Sequence, residues 1–428
     1  MKRKTDILIL GNGAAGSSAA FAAKKTDPAL SVLVLSKENE PVYSAPALPD
    51  LLSGELTREK VLVRTRGEYE KAGIEVLCGE AVSIDPKACT VTLADGDAIG
   101  YRDVILATGS QPIQLRKMQG TSLPGNFVMK TMADIEAIAS YGGRSAVVVG
   151  SGAIGIEGSM ALKARGFERV TMVEALEWLS PKSLDRETSN QLKKALESFG
   201  VEVLTGEAVQ AVLGEEKAEG VVTSKRTIPC DLVLWGIGMR PDVQLATDAG
   251  IALGETGGIR VDEMMRTSAP HIYACGDCAE STDLLTAQPA LHLFWEPAQR
   301  GGTAAGSNAA GQEKIFQPSA AVFLTNKGGL SILALGKTED QLAGDPYVLQ
   351  EEKDGVFRRL LFEDGRLAGV QMLGTLRDAD LFFAQIKKTA QRRKDAWDLT
   401  QPVPDLEKIS VKEAIWFLRK QRRNAFAE

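Results

Sequence analysis

Short apolar runs along this chain alternate with stretches whose apolar side chains recur at helical spacing. Asp6 to Leu10 predicts a buried strand, Ala14 to Lys25 an Ala-rich helix, and Ser31 to Leu35 a second strand, so residues 6–35 read as one β-α-β unit. Residues 75–107 alternate short strands with turn signals such as Asp95-Gly96 and close on a further buried strand, Asp103 to Ala107. The strand–helix–strand rhythm restarts near Tyr141, with strands at Ala146 to Val149 and Val170 to Val173 and a last one at Asp231 to Trp235. Residues 265–310 return to glycine- and alanine-rich turns and a helix of the first kind, which makes the second unit an insertion within the first. A smaller α+β unit follows from about residue 320, with strands at 356–362 and 367–373 and a terminal helix from Ser410 to Arg423.

Both β-α-β units carry the same turn. Gly11-Asn12-Gly13-Ala14-Ala15-Gly16 follows Ile7-Leu8-Ile9-Leu10, and Gly150-Ser151-Gly152-Ala153-Ile154-Gly155 follows Ala146-Val147-Val148-Val149. In G-x-G-x-x-G the first glycine makes the tight turn, the second lets backbone approach a pyrophosphate, and the third packs helix on strand. The diphosphate rests on the positive end of the helix dipole. One such turn is weak evidence, but two in the right context imply two dinucleotides and hence redox chemistry.

Composition narrows this picture only modestly. The chain has 428 residues, which at about 150 per domain suggests roughly three domains. Its 44% apolar and 25% charged residues are ordinary for a soluble globular protein, and a net charge of −6 gives no reason to expect nucleic acid. Five cysteines do not make a secreted disulfide framework, so a reducing cytoplasm is expected. The basic start and following apolar run imitate a signal peptide, but cleavage there would destroy the first fingerprint. No stretch reaches the roughly 18 uncharged apolar residues of a membrane helix.

The order of motifs resembles the FAD-dependent pyridine-nucleotide oxidoreductase superfamily, over residues 5–312. The resemblance rests on the two fingerprints, on Tyr101-Arg102-Asp103-Val104-Ile105-Leu106-Ala107-Thr108-Gly109-Ser110, on Gly236-Ile237-Gly238-Met239-Arg240-Pro241, and on Ile272-Tyr273-Ala274-Cys275-Gly276-Asp277. Gly365 to Val370 resembles the interface domain of the nitrite-reductase and rubredoxin-reductase branch. The resemblance implies two Rossmann-like domains. FAD-binding segments at 1–120 and 246–320 would flank an inserted NAD-binding unit at 121–245, and a C-terminal α+β interface domain would follow at 321–428.

By that resemblance FAD is held by Gly11, Gly13, Ala14, Ala15, Gly16, Ala45, Pro46, Val82, Ala107, Thr108, Gly109, Lys130, Gly276, Asp277 and Trp295. The family's ribose-binding acid falls at Ser36, displacing the carboxylate to Glu38, with an ordinary loop acid as the alternative. Asp277 would bind the ribityl chain and pyrophosphate, or would otherwise be only an N-cap. Relatives have arginine where this chain has Ala45 and Lys130, so the detailed flavin contacts differ. Trp295, in Phe294-Trp295-Glu296-Pro297-Ala298-Gln299, resembles a tryptophan beside the isoalloxazine; the alternative is a core residue. NAD would be held by Gly150, Gly152, Ala153, Ile154, Gly155, Gly236, Ile237 and Gly238. Glu174 would bond both ribose hydroxyls, and no arginine in Ala175-Leu176-Glu177 offers to take a 2′-phosphate. Glu157 matches a family glutamate near nicotinamide and flavin. It and Trp295 are the catalytic candidates, with a plain helix-face acid as the alternative for Glu157.

Disulfide reductases of the superfamily carry C-x4-C after the second strand, and its peroxidases and oxidases carry one cysteine there. Glu40 to Pro49 here contains no sulfur, which excludes glutathione-, lipoamide-, CoA-disulfide- and peroxide-reductase readings. Cys275-Gly276-Asp277-Cys278 flanks the FAD aspartate and has no second pair at zinc spacing, so it reads as structural, as do Cys78, Cys89 and Cys230. His271 and His292 are too few for a metal cluster, and no metal is expected. The tail carries Lys387, Lys388, Arg392, Arg393, Lys394, Arg419, Lys420, Arg422 and Arg423. With Val411, Ile415, Trp416 and Leu418 its last helix is amphipathic, a solvated face or a docking surface for a redox subunit.

The expected activity is hydride exchange between NAD(H) and FAD, with electrons exchanged with an iron–sulfur partner. The chain has no cysteine set for a cluster of its own. Val42 to Gly54 looks most like flavin subunits of phenylglyoxylate dehydrogenase and tungsten aldehyde oxidoreductases. Alternatives are a free-standing NADH:rubredoxin or ferredoxin reductase, monomeric or homodimeric, and a non-enzymatic redox-sensing module.

Overall fold

The apolar run before the first glycine turn becomes a central strand of a parallel sheet in the computed structural model, which describes residues 3–320, 322–391 and 410–416. Arg3–Leu10 lies between Val32–Ser36 and Ala98–Leu106, and Ile74–Cys78 extends the sheet beyond Val32–Ser36, all parallel. Side chains alternate across the sheet. Ile7 and Ile9 meet the helices Ala14–Thr26 and Trp295–Ala309, while Leu8 and Leu10 join Ile84, Val91, Leu93 and Ala246 on the other face. The strand expected at Asp103 to Ala107 is the second half of the nine-residue Ala98–Leu106. Its first half pairs with the antiparallel hairpin Ala81–Asp85 and Thr90–Leu93, and its second half with the late parallel strand Ile272–Ala274.

The insertion is literal. The chain leaves this sheet through Ser110–Pro112 and returns through Met239–Pro241, and these two segments pair antiparallel with each other. Between them stands a second parallel sheet, ordered Val201–Thr205, Arg169–Glu174, Ser145–Val149, Leu232–Trp235, Asn126–Phe127. Leu232–Trp235 is the last strand in sequence, but the sheet's edge is Asn126–Phe127, a two-residue strand that the apolar pattern does not announce. Helices Ala153–Ala164 and Arg186–Ser198 cover one face of this sheet. Val212, Val221 and Ile228 of a small antiparallel sheet cover Val147, Val149 and Val173 on the other.

The C-terminal unit is a five-stranded antiparallel sheet ordered Val322–Lys327, Leu330–Gly336, Arg366–Leu373, Val356–Glu363, Pro346–Lys353. One face takes the helix Ala379–Ala390. The other puts Leu330, Ile332, Phe357 and Leu373 into the same core as Ile156, Met160, Leu192 and Leu48, so this sheet closes over the nucleotide-binding units. Within the expected terminal helix, residues 411–416 are helical, and Val411, Ala414 and Ile415 are buried against this chain's own C-terminal core. That part of the apolar face is therefore not a docking surface; Trp416 stays 55% exposed. Arg392, Arg393, Lys394, Leu418, Arg419, Lys420, Arg422 and Arg423 lie outside the described residues. No helix among the described residues is long and apolar enough to cross a membrane.

The C-terminal sheet is also tied on by charge. Arg359 is 4% exposed and reaches Asp185 at 3.2 Å, Glu187 at 3.3 Å and Glu339, while Asp185 N–H donates to Gln371 at 3.0 Å and its carboxylate accepts from Glu339 N–H at 2.8 Å.

Candidate functional site

The two glycine turns are built alike. Gly11 has φ +113°, and a Cβ there would sit 2.2 Å from Ala107 O; one on Gly16 would sit 1.9 Å from Gly11 O. Gly150, at φ +97°, and Gly155 repeat this, with 2.6 Å to Gly236 O and 2.0 Å to Gly150 O. The middle glycines differ. Nothing lies within 4 Å of a Cβ on Gly13, and only Gly236 O, at 4.0 Å, approaches one on Gly152. Each middle glycine is the N-cap of its helix and offers no side-chain bond to the first turn, leaving the N–H groups of Ala14, Ala15 and Gly16, and of Ala153, Ile154 and Gly155, for a ligand.

On the FAD side, Tyr69 was not foreseen. It is 2% exposed, and its hydroxyl lies 2.7 Å from Asn12 Oδ1 and 2.8 Å from Ser17 Oγ, pinning the glycine turn to its helix. Gly276 has φ +76°, and a Cβ there would come 2.8 Å from that of Ala15, so Asp277 stands opposite the first fingerprint. Three residues from distant segments meet at that point. Ser110 Oγ donates to Asp277 Oδ2 at 2.6 Å, and Lys130 Nζ lies 3.1 Å from Ser110 Oγ and 3.5 Å from Asp277. Thr108 donates to Asp242 O at 2.6 Å, Ala107 N–H bonds Leu10 O at 2.9 Å, and Gly109, at φ +73°, borders open space.

Glu38 is exposed and accepts the Tyr43 hydroxyl at 2.7 Å. Burial and that bond push the Tyr43 phenol far above its ordinary range, keeping it a donor. Gly79 N–H donates to Ser36 O at 2.8 Å, and Val82 is 46% exposed on the strand Ala81–Asp85 that follows. Ala45 and Pro46 form a 3₁₀ turn leading into the helix Leu48–Ser53. Trp295 opens its helix half-buried against the core of Ala15 and Ala298.

On the NAD side, Gly236 closes over Gly155, with 3.0 Å from a Cβ there to Gly155 N, and leads into Ile237 and the φ +111° of Gly238. Glu174 is buried at the end of its strand. It accepts from Ser151 N–H at 3.0 Å, Ser151 Oγ at 2.5 Å and Leu176 N–H at 2.9 Å, so any ribose hydroxyl must share its remaining lone pairs. Glu157 is half-buried on its helix and accepts from Thr325 Oγ1 of the C-terminal sheet. Burial raises its carboxyl above the usual range, opposed by the Thr325 bond and the Lys327 ammonium.

Cys275 and Cys278 are fully buried, and burial pushes both thiols up, which suits small core residues. His271, at φ +62°, bonds Asp103 at 3.1 Å through Nδ1 and serves a turn. Among the described residues no group of three or more His, Cys, Asp or Glu is placed to hold a metal ion.

The family model for pyridine nucleotide-disulphide oxidoreductases matches residues 5–299. A Methanocaldococcus jannaschii NADH oxidase is 32% identical over 87% of this chain and 88% of its own. Among solved structures, an NAD-dependent persulfide reductase from A. fulgidus superimposes with a TM-score of 0.86 at 26% identity, covering 98% of this chain and 84% of that one. A ferredoxin reductase from Rhodopseudomonas palustris gives 0.81 at 25% identity, covering 94% and 99%.

Proposed function

This chain belongs to the pyridine nucleotide-disulphide oxidoreductase family, and within it we propose that the protein carries hydride between NAD(H) and FAD and exchanges electrons with an iron–sulfur protein. It is a flavin-dependent NAD(H) oxidoreductase; the electron partner is the part inferred here. One observation carries that inference: the chain holds two nucleotide fingerprints and no cysteine in the segment after its second strand. The segment Glu40 to Pro49, where superfamily disulfide reductases place sulfur, has none. No cysteine precedes Cys78, and Cys275 and Cys278 are fully buried. Electrons therefore leave the flavin directly. FAD, when bound, accepts a hydride pair and can release its electrons singly.

The chain's own residues serve to bind and orient. The first-turn N–H groups behind Gly13 and Gly152 would receive the two diphosphates, Asp277 and Lys130 would hold the flavin chain, Glu38 and Glu174 would take the ribose hydroxyls, and Trp295 would shield the ring. The relative named as a persulfide reductase suggests sulfur chemistry, but Glu40 to Pro49 of this chain contain no cysteine. Likeness of residues 42–54 to flavin subunits of phenylglyoxylate dehydrogenase and tungsten aldehyde oxidoreductases points to a multi-subunit assembly that delivers electrons to NAD+. A free-standing reductase is the second reading, favoured by likeness to a ferredoxin reductase along nearly its whole length.

Purification of the tagged protein from its native host tests these readings. Co-elution in fixed ratio with iron–sulfur subunits, and viologen-coupled NADH turnover, is the expected result. A yellow, NADH-active protein eluting alone would overturn the assembly and leave the free-standing reductase.

A further inference from the structure

Glu157, Asp50, Thr325 and Lys327 come from three elements that meet only in the folded molecule. Glu157 lies on the helix Ala153–Ala164 that opens from the second fingerprint, Asp50 on Leu48–Ser53 just after Ala45–Ala47, and Thr325 and Lys327 on the edge strand Val322–Lys327 of the C-terminal sheet. Thr325 donates to Glu157, and the Lys327 ammonium bonds Asp50. The Lys327 and Asp50 side chains are only 20% and 16% exposed, so solvent screens them weakly. One ammonium thus serves two carboxylates: Lys327 draws the Glu157 carboxyl down while Asp50 and burial push it up.

The other charges on elements packed around the Glu157 helix have partners elsewhere. Arg169 bonds Pro229 O, Glu174 bonds Ser151 and Leu176, and Glu202 accepts from Thr171. On the helix itself Lys163 bonds Glu168 O, and Arg165, just past its end, bonds Leu52 O and Ala139 O. The strands Ser145–Val149 and Leu232–Trp235 carry no charge.

We propose that Lys327 is a positioning residue of the NADH–flavin reaction, delivered by the C-terminal sheet: it clamps Asp50 on the neighbouring helix while Thr325, two residues along the same strand, fixes Glu157 in the nicotinamide cleft. The inference rests on the NADH–flavin reading and on Glu157 facing that cleft. NADH, when bound, would give up the hydride of its nicotinamide C4–H bond to flavin N5, leaving positive charge on the nicotinamide ring. An ionised Glu157 favours that charge. The rate of flavin reduction then rises with pH through the Glu157 ionisation.

The test is the pH profile of flavin bleaching on rapid mixing of the FAD-loaded full-length protein with NADH. FAD content and melting temperature are followed for each variant. Lys327→Met removes the ammonium and is expected to move the limb to higher pH by about one unit. Asp50→Asn leaves the ammonium to Glu157 alone and should move the limb to lower pH. Lys327→Arg keeps the wild-type limb, and Glu157→Gln abolishes it. Shifts of Lys327→Met and Asp50→Asn in the same direction, or a limb that survives Glu157→Gln, would overturn the proposal. A flavin that NADH bleaches at no pH in the wild-type protein would instead overturn the NADH–flavin reading beneath it.

Discussion

Gly152 and Gly155 stand three positions apart in one turn and do different work. A Cβ on Gly155 would overlap Gly150 O at 2.0 Å, and the clashing atom is backbone that cannot swing aside. Gly155→Ala is therefore expected to cost about 1–3 kcal/mol in chemical denaturation and to lower NADH affinity as well. Gly152 sits at φ −69°, ψ 178° with space above it. Gly152→Ala should leave stability within about 0.5 kcal/mol of wild type while weakening NADH binding by about tenfold, measured by titration, because the methyl occupies the space meant for phosphate. The glycines were legible in the sequence because their spacing is local. The state of Glu174 was less so: its position and type could be read, but not that Ser151 and Leu176 already engage both of its oxygens. Tyr69 gave no signal, since nothing nearby in sequence links it to Asn12 and Ser17.

Among the elements, the pairing of Ala14–Thr26 with Trp295–Ala309 matters most for flavin binding. A Cβ on Gly302 would lie 2.0 Å from Ala15 O, and one on Gly306 would lie 2.1 Å from Ala19 O, so two backbones touch through a seam of small residues. Gly302→Val should drive these helices apart and displace the turn that bears Gly276 and Asp277. The expected outcome is a protein that purifies with most of its FAD lost and a melting temperature lower by several degrees, a change of about 1–3 kcal/mol. Strands with long apolar runs were legible because parallel strands buried on both faces must be apolar throughout. Asn126–Phe127 was not, because two residues carry no period. It exists because Val233 of the neighbouring strand and the Trp235 indole N–H, 2.9 Å from Asn126 Oδ1, give it partners.

For the molecule as a whole, the C-terminal sheet is the part whose placement the sequence concealed. Its strands at 356–362 and 367–373 could be anticipated, but its contribution to the site could not, because Thr325 and Lys327 reach Glu157 and Asp50 across 168 and 277 positions of sequence. The buried Arg359 holds that sheet in place. Arg359→Met removes the cation between Asp185, Glu187 and Glu339 and leaves Asp185 buried without its counter-charge. The expected loss is about 3–5 kcal/mol by chemical denaturation, and Arg359→Lys should recover only part of it, since one ammonium cannot replace a planar fork serving three carboxylates.

The antiparallel pair of Ser110–Pro112 with Met239–Pro241 places the exit and re-entry of the inserted sheet side by side. To the first sheet, the whole insertion is a single loop whose ends stand about 5 Å apart, one strand spacing. Closing so long a loop of disordered chain would cost entropy, growing by about 0.6 kcal/mol with each doubling of length. A pre-folded insertion with adjoining ends removes most of that cost, because its own core holds the ends together. Late strand Ile272–Ala274 can then find Ala98–Leu106 as if the two were near neighbours in sequence.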